Sequence, residues 1–365
     1  MRRPVIRSRA ALFALLVIAL AGAIPGLAAA QTPDPAVERR LAAAAKAQPD
    51  SFDAQHALGE YYLHAGRLAT AIPYLERARA IDPAHAANGY DLAQAYLQTG
   101  KLDAARQQVA ALLRAHETAE LLNLQGDVEA QAGDRVAAAA SYQRAAYARP
   151  SEEHLFDWGD NLLHLRAYND AADVFTAAVR RYPTSARLQI GLGIAEYSRG
   201  QHEAAVQAFC RAADLVPGDP RPIGFLGEMY GVAPARSAEV TRRLARFVQL
   251  KPRSPEGHYY YAMNLWRGEG GSTEAPVLAK AETLLRKAAA LDPKYAKPRL
   301  QLGILLSEQQ RWTEAIPFLK AAVALEPEQP QGHFRLSQAY RRSGQTALAD
   351  QELAVFKRLG ATPQP

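Results

Sequence analysis

The chain of 365 residues contains few of the residues that most often carry out chemistry: one cysteine, three methionines and three tryptophans. Cys210 cannot form a disulfide bond within the chain, and its position beside Phe209 favours a small apolar residue on a packed helix over a redox group. No GxSxG, HExxH or CxxC motif and no phosphate-binding glycine loop occurs. We therefore expect no enzymatic activity and no cofactor.

The charge balance gives little support to nucleic-acid binding. The formal net charge is +6, and four of the positive charges are arginines at positions 2, 3, 7 and 9. Removal of that segment would leave an excess of only two, without the basic stripe that nucleic acid requires. We expect no nucleic-acid partner.

The N-terminal segment has the features of a secretory signal peptide. Its arginines precede an apolar run from Ala10 to Ala23, and Pro25-Gly26 is followed by three small residues that end at Ala30. This pattern predicts a signal peptide over 1–30, cleavage after Ala30, and a mature protein in the periplasm or cell envelope. The alternative is an uncleaved membrane anchor, since Ala10 to Ala30 could just reach the roughly 20 residues that a span needs.

The rest of the chain repeats one pattern about every 34 residues. Similar segments end at Pro83, Pro150, Pro217 and Pro327, and a diverged copy, LSQAYRRSGQTALADQELAVFKRLG, lies near the C-terminus. In a common frame, slot eight is small, as at Gly59, Gly126, Gly159, Gly227 and Gly303, and slot twenty is usually alanine. A glycine inside a helix costs about 1 kcal/mol relative to alanine. Its recurrence therefore predicts two helices whose backbones come close together.

Other slots mark the apolar stripes and the ends of two helices per repeat. Slot twenty-four carries a large apolar or aromatic residue, such as Leu75, Tyr142 or Phe175, at helical spacing from the other apolar slots. The first helix is predicted to stop at a left-handed glycine in each of the following: Gly66, Gly100, Gly133, Gly200 and Gly344. Prolines are predicted to end the second helix, since proline cannot continue the hydrogen-bond ladder.

This combination of small, alanine, aromatic and terminal-proline positions resembles the tetratricopeptide repeat (TPR) family, from about Phe52 to the C-terminus. The resemblance implies an all-α fold, an α-solenoid built as a right-handed superhelix of helix-turn-helix units, with a concave groove lined mainly by the first helix of each unit. We expect a starting half-repeat over 31–51, an array over 52–359 and a flexible tail over 360–365. About nine units are predicted: 52–85, 86–118, 119–151, 152–185, 186–219, 220–254, 255–295, 296–329 and 330–359.

Two units depart from the pattern. The turn near Gly231 is replaced by a longer connection with Pro234, and the turn over 267–280 is expanded. Each is interpreted either as a tolerated surface insertion, since long loops cost little, or as a hinge or a loop that leans over the groove.

Family members usually bind extended peptide segments in the groove, which implies that other proteins are the partners. The groove-facing slots of the first helices predict these contact residues: His56, Glu60, His64, Tyr90, Asn123, Asp127, Phe156, Asp160, His164, Ile190, Tyr197, Tyr259, Met263, Trp266, Arg267, Leu300, Phe334 and Arg341.

The charge of these slots changes along the chain. At these slots the first four units carry six acids and no lysine or arginine; the acids are Asp53, Glu60, Glu120, Asp127, Glu153 and Asp160. Later units contribute bases, namely Arg187, Arg221, Arg267, Lys297, Arg341 and Arg342, against Glu228, Glu256 and Glu308. A concave surface amplifies such an asymmetry. One interpretation is a partner segment that is basic at one end and aromatic or acidic at the other, and the alternative is an ordinary solvated face.

Two helical clusters could seed a metal site but lack further ligands. His56, Glu60 and His64 follow one another at intervals of one turn, as do Asp160 and His164. Because no third or fourth ligand is evident near either, we interpret them as polar groove lining and predict no metal.

The leading functional hypothesis is a non-enzymatic scaffold of a bacterial cell envelope, as in similar exported TPR proteins that serve envelope assembly, secretion or polysaccharide export. A second hypothesis is a glycan- or wall-binding protein that stacks sugars on Tyr197, Tyr259 and Trp266. A third is an enzyme with an unrecognised site.

Overall fold

The computed structural model describes residues 34–268 and 271–360, which form nineteen α-helices, one 3₁₀ turn and no strand. The signal-peptide prediction for 1–30, with cleavage after Ala30, lies outside these residues, as do residues 361–365 of the predicted tail. The predicted all-α fold class is confirmed. The chain divides into two compact units, Met1–Arg199 and Gly200–Pro365.

Unit 1 begins with the single helix α1, which corresponds to the predicted starting half-repeat, and continues with helices α2 to α10. Their bounds are α1 Pro35–Ala47, α2 Phe52–His64, α3 Leu68–Ile81, α4 Ala86–Gln98, α5 Leu102–Ala115, α6 Ala119–Gln131, α7 Arg135–Ala148, α8 Glu152–His164, α9 Tyr168–Arg181 and α10 Ala186–Ser198. Each even-numbered helix from α2 to α8 packs against the odd-numbered helix that follows it. These pairs are the helix hairpins that the repeat predicts.

Unit 2 contains helices α11 to α19. Their bounds are α11 His202–Leu215, α12 Pro220–Glu228, α13 Ser237–Leu250, α14 Pro255–Arg267, α15 Ala275–Leu291, α16 Ala296–Glu308, α17 Trp312–Leu325, α18 Pro330–Arg342 and α19 Thr346–Arg358. The pairs α14–α15, α16–α17 and α18–α19 pack as hairpins. Helix α12 is short, and the 3₁₀ turn Pro234–Arg236 separates it from α13, in the longer connection that the sequence predicts there.

Hydroxyl side chains and glycines set the ends of the first helices. In unit 1 the side chains of Ser51, Thr118 and Ser151 accept hydrogen bonds from backbone N–H groups in the first turn of α2, α6 and α8. At the other end the predicted glycines are left-handed, with φ of 70° at Gly66 and 90° at Gly133. The same turn position holds Arg166 at φ 60° and Gln310 at φ 61°. The repeat therefore imposes this conformation even where no glycine is present.

The slot-eight glycines face a large side chain of the partner helix, and at Gly59 the partner backbone is also close, as the sequence predicts, with a hypothetical Cβ 3.2 Å from the backbone nitrogen of Leu75. A Cβ atom on Gly59 would lie 2.6 Å from Leu75 Cδ2, and one on Gly159 would lie 2.7 Å from Phe175 Cζ. Leu75 and Phe175 occupy slot twenty-four of the same repeats and are completely buried. The glycine therefore gives room for the large side chain of the partner helix.

The expanded turn in unit 2 is shorter than the sequence suggests. Helix α15 begins at Ala275, so the second half of the insertion over 267–280 lengthens a helix to 17 residues. The backbone N–H of Ser272 donates to the carbonyl of Trp266 at 2.9 Å, and Gly271 has φ of 88°. Across the two described ranges, no helix is long and apolar enough to cross a membrane.

Candidate partner-binding surface

The first helices of unit 1 lie in one row, because α2 contacts α4, α4 contacts α6, α6 contacts α8 and α8 contacts α10. We call the surface that these five helices share the inner face of unit 1. Most of the predicted contact residues of unit 1 are exposed or half-buried on this row: His56, Glu60, His64, Tyr90, Asp127, Phe156, Asp160, His164 and Tyr197. Asn123 belongs to the same row but is only 7% exposed.

At the N-terminal end of the inner face, two histidine rings pack against each other and against a phenylalanine. Nδ1 of His56 lies 3.1 Å from Oδ1 of Asn88, and its ring is stacked on Phe52 with centroids 5.2 Å apart. His85 packs against both rings. Within the described ranges, no group of three histidine, cysteine or acidic side chains is placed to hold a metal ion. The His56 ring therefore packs against Phe52 and lies within hydrogen-bond distance of Asn88, rather than forming part of a metal site.

Two aspartates on neighbouring first helices form the centre of the face. Asn123 Nδ2 on α6 donates to Asp157 Oδ2 on α8 at 2.9 Å. Tyr142 Oη on α7 donates to Asp127 Oδ1 on α6 at 2.7 Å. We call Asn123, Asp127, Tyr142 and Asp157 the aspartate cluster. Because Asn123 and Asp127 are one helical turn apart, they project from the same side of α6.

Burial dominates the titration of these carboxyls. It raises the pKa of Asp127 from its ordinary 3.8 to about 6, although the hydrogen bond from Tyr142 opposes the shift. It raises the pKa of Asp157 to about 7, and the neighbouring charge of Asp127 adds to this shift. Burial and nearby acids also raise the pKa of Tyr90 to about 12. Within the described part of the chain, neither aspartate forms an ion pair within 4.0 Å.

The sequence interpretation missed Asp157 and Asp91, which both occupy slot six of their repeats. The pKa of Asp91 is also raised, chiefly by burial. The signal that could have identified them is a carboxylate at a slot that is often apolar in other repeats, as at Ala57, Leu124 and Phe225. Burial of an acid at a packing position is costly unless the carboxylate is paired or hydrogen-bonded, so an acid at this slot indicates a candidate site.

The remaining residues at the groove-facing slots of α8 and α10 contact other groups of the protein or are buried. The guanidinium of Arg187 lies 4.1 Å from the ring centroid of Phe156 and 3.9 Å from Glu152. His164 Nε2 lies 3.5 Å from Asp160 Oδ2. Ile190 is completely buried, so its prediction as a contact residue is wrong: its side chain fills the core under α10.

In unit 2 the predicted aromatic and apolar contacts are buried, which corrects the sequence interpretation. Tyr259 is 5% exposed, Met263 1%, Trp266 2% and Leu300 7%, and all four belong to one hydrophobic cluster. They hold hairpins together instead of facing a partner. Because Trp266 and Tyr259 are covered, they present no stacking surface to a glycan. Phe334 is half-buried, with its ring 5.1 Å from that of Phe356.

The predicted basic end of the groove is largely neutralised. Arg267 lies over the Trp266 ring at 3.8 Å and bonds to Glu308 at 2.5 Å. The other pairs are Lys297–Glu228 at 3.1 Å, Arg221–Asp219 at 2.7 Å and Arg341–Asp350 at 2.8 Å. The change of charge predicted along the groove-facing slots is therefore weaker than expected at the basic end. The charged side chains on these slots that form no ion pair are mainly acids of unit 1.

Stacked helix hairpins with glycine-terminated first helices define an α-solenoid repeat protein. Two family models described as tetratricopeptide repeat match the chain, one at residues 62–128 and 278–331 and the other at 156–220, and together they span about half of it. The chain belongs to the tetratricopeptide repeat family, as the sequence predicts. A TPR fold implies a scaffold for protein–protein interaction, and proteins of this family are generally non-enzymatic.

Solved structures with a similar fold include three kinds of protein. YrrB, described as a TPR protein with an unusual peptide-binding site, is 19% identical and has a TM-score of 0.42 over 51% of this chain and 97% of its own. MamA from Desulfovibrio magneticus RS-1 is 24% identical, with a TM-score of 0.39 over 46% and 93%. The complex Cut9-Hcn1 of the APC/C is 16% identical, with a TM-score of 0.42 over 84% and 60%. No curated protein matches the chain.

Proposed function

We propose that this protein is an exported adaptor of the cell envelope that holds a basic segment of another protein on the inner face of unit 1. The observation that carries the proposal is the row of contacting first helices whose central carboxylates, Asp127 and Asp157, form no ion pair in the described chain. Such a surface attracts positive charge and excludes acidic segments.

The surroundings of the two aspartates fit a polypeptide. Asp53, Glu60 and Glu153 are exposed on α2 and α8 and extend the negative surface along the row. Gln94 and Gln98 on α4 offer both donors and acceptors for backbone peptide groups. An extended segment laid across α2, α4, α6 and α8 would meet a carboxylate or a carboxamide on each of these four helices.

Export is proposed from the sequence of residues 1–30, with its arginines, apolar run and small residues before Gln31. In the envelope, a non-enzymatic repeat protein of this kind would join components of an assembly, secretion or polysaccharide-export complex. The array contributes a long surface, and the exported partner contributes the basic segment.

Site-specific crosslinking in cells tests the adaptor function. A photo-crosslinking residue at exposed Gln98 on the inner face is expected to capture partner proteins in the envelope fraction. The same residue at exposed Gln107, on the second helix α5, is the matched control. Capture that is equal at both positions would contradict binding on the inner face. A variant without residues 1–30 is expected to accumulate in the cytoplasm, and its appearance in the envelope would contradict the proposed export.

Charge reversal tests the choice of a basic partner. Glu60→Lys with Glu153→Lys changes exposed residues of the inner face, and Asp103→Lys with Asp170→Lys makes the same charge change on the exposed second helices α5 and α9. We expect only the first pair to reduce capture at Gln98, because it places like charge against the partner. An equal loss with both pairs would indicate a general charge effect and would overturn the proposed partner class.

A further inference from the structure

Helix α13 of unit 2 ends beside a groove of about 470 Å³. The groove is lined by Phe247 and Leu250 in the last turn of α13, and by Gly218 and Pro220 at the start of α12. Leu250 is 52% exposed, so an apolar side chain is open to solvent there. We call this cavity the α13 groove.

Two cationic side chains, Lys251 and Arg253, line the same groove, and both are exposed. A Cβ atom on Gly218 would lie 3.3 Å from Cε and 3.9 Å from Nζ of Lys251, so this ammonium lies against the groove wall. Within the described ranges neither cation forms an ion pair, whereas Arg243 on α13 is paired with Asp214 at 2.5 Å. The charge of Lys251 and Arg253 is therefore available to a ligand.

The lysine at the end of α13 departs from the repeat. Several other repeats carry an acid just before the terminal proline, namely Asp82, Asp292 and Glu326. Asp82 and Asp292 each accept a hydrogen bond from the backbone N–H two residues later, at 3.0 Å and 2.8 Å, which a lysine cannot do. The other cation at this position, Arg149, is paired with Glu120. The turn after α13 therefore gives up a local hydrogen bond and gains an unpaired charge, a conflict of the kind found at functional sites.

The carboxylates that flank the groove in sequence do not neutralise its cations. Asp219 bonds to Arg221 at 2.7 Å, and its side chain caps α12. Glu256 on the first turn of α14 is exposed and accepts a hydrogen bond from the Ser254 hydroxyl at 3.1 Å. Two unpaired cations therefore face one carboxylate that forms no ion pair in the described chain, and the groove carries a net positive charge.

We propose that the α13 groove binds an acidic segment of a partner protein in which a large apolar residue is flanked by aspartates or glutamates. The apolar side chain covers Leu250 and enters the groove, and its removal from water supplies affinity. The flanking carboxylates pair with Lys251 and Arg253, which gives specificity for negative charge. This inference goes beyond the proposed adaptor function, because it adds a second docking surface, in unit 2, with the opposite charge preference.

The burial of α13 favours a protein segment over a membrane surface. A basic helix that binds a bilayer places its apolar side at the boundary of the lipid chains. In α13 that side is occupied by core contacts, with Val240 4%, Leu244 0% and Phe247 2% exposed. Leu250 remains as the exposed large apolar residue of this helix, and one such residue fits a groove better than a bilayer.

Three matched peptides and the mature chain, residues 31–365, test the groove. The probe is an acetylated and amidated glycine-serine peptide with one phenylalanine between two pairs of glutamates. One control carries serine in place of the phenylalanine, and the other carries lysines in place of the glutamates. We expect the probe to bind at least about tenfold tighter than either control at an ionic strength of about 0.15 M.

Charge reversal tests the two cations. Lys251→Glu with Arg253→Glu is expected to weaken binding of the probe at least about tenfold, because it places like charge against the glutamates. Lys287→Glu with Lys320→Glu makes the same charge change at exposed positions of α15 and α17. This control pair should leave binding within about twofold, since salt screens exposed charges beyond about 8 Å.

A leucine substitution tests the apolar part of the groove. Leu250→Ser is expected to reduce the preference for the phenylalanine peptide over the serine peptide from about tenfold to about twofold. Leu325 is 38% exposed and occupies the same position before a terminal proline. Leu325→Ser is therefore the matched control and should keep the preference.

The outcomes separate this inference from the adaptor function. Equal binding of the probe and either control peptide, an equal loss in the two charge-reversal pairs, or absence of probe binding would each overturn it. Binding to phosphatidylglycerol vesicles instead of the peptide, lost in Lys251→Glu with Arg253→Glu, would also overturn it and would assign the groove to a membrane. Circular dichroism and thermal unfolding check that the variants fold. None of these results bears on partner capture at Gln98, so the two proposals can fail separately.

Discussion

The hydroxyl of Tyr142 on α7 donates a hydrogen bond to Asp127 on α6, the other helix of its hairpin. Gly126 makes this contact possible. A Cβ on Gly126 would lie 2.6 Å from the Tyr142 ring. The packing rule of the repeat, a glycine facing a large residue, here also positions a polar atom. Other repeats place Leu75, Phe175 or Leu319 at the same slot, and none of these carries a hydroxyl.

Tyr142→Phe is expected to destabilise the protein by about 1 kcal/mol, the typical net contribution of one hydrogen bond. The ring remains, so packing against Gly126 is preserved, and only the donor to Asp127 is lost. Because that hydrogen bond lowers the pKa of Asp127, the variant is also expected to raise it further. Thermal unfolding and NMR titration of the carboxyl measure the two effects.

The control for this variant is Tyr147→Phe on the same helix. Tyr147 is 72% exposed, so removal of its hydroxyl should change neither the stability nor the titration of Asp127. A Tyr142→Phe protein that unfolds and titrates like the wild type would show that the hydrogen bond does not hold the carboxylate.

Gly159→Ala is expected to destabilise by about 1–3 kcal/mol, as overpacking of a full core does. The ring of Phe175 lies between Gly159 and Gly191, with hypothetical Cβ distances of 2.7 Å and 2.5 Å, and it is completely buried and cannot move away. Chemical denaturation measures the change. Gly224→Ala in helix α12 is the matched control, because nothing lies within 4 Å of its added methyl group. Alanine there should stabilise by up to about 1 kcal/mol through helix propensity.

The recurring slots of the repeat predict some features of this fold and miss others. Hairpin helices, glycine turns and the positions of Asn123 and Asp127 on one row follow from slots that recur, because recurrence averages out local exceptions. Recurrence does not identify Asp157, since slot six carries an acid only here and at Asp91, and the signal there is a departure from the repeat rather than a recurring residue. Trp266 and Tyr259 show the converse error: helical spacing alone does not tell whether a residue at a face is covered by the next helix.

Exchange of residues at the turn position tests the left-handed backbone. Arg166→Gly is expected to stabilise by up to about 1 kcal/mol, because a left-handed conformation costs a residue with a Cβ roughly 1–2 kcal/mol, while glycine adds freedom to the unfolded chain. Gly133→Ala, at the equivalent turn with φ of 90°, should lose a similar amount. Denaturation midpoints of the two variants that shift in the same direction would contradict this account.

The aspartate cluster should make stability depend on pH in a direction opposite to that of most carboxylates. The pKa of Asp127 is raised to about 6 and that of Asp157 to about 7, from 3.8 in the unfolded chain. The folded state therefore holds more protons between about pH 4 and 7, so these groups lower the free energy of unfolding progressively as the pH rises through this window. Below pH 4 both states are protonated and the effect vanishes.

Asp157→Asn removes the larger of these two contributions while keeping a side chain of the same shape. We expect the variant to be more stable than the wild type by about 2 kcal/mol at pH 8, a value below the 1.4 kcal/mol per pKa unit of the full shift because the carboxyl is only half-buried. The gain should shrink to nothing near pH 4. Urea unfolding at both pH values measures it, with exposed Asp103→Asn as the control whose difference should stay near zero. A loss of stability at pH 8 would mean that Asp157 is ionised and well satisfied in the free protein, and that its charge has a partner other than an incoming cation.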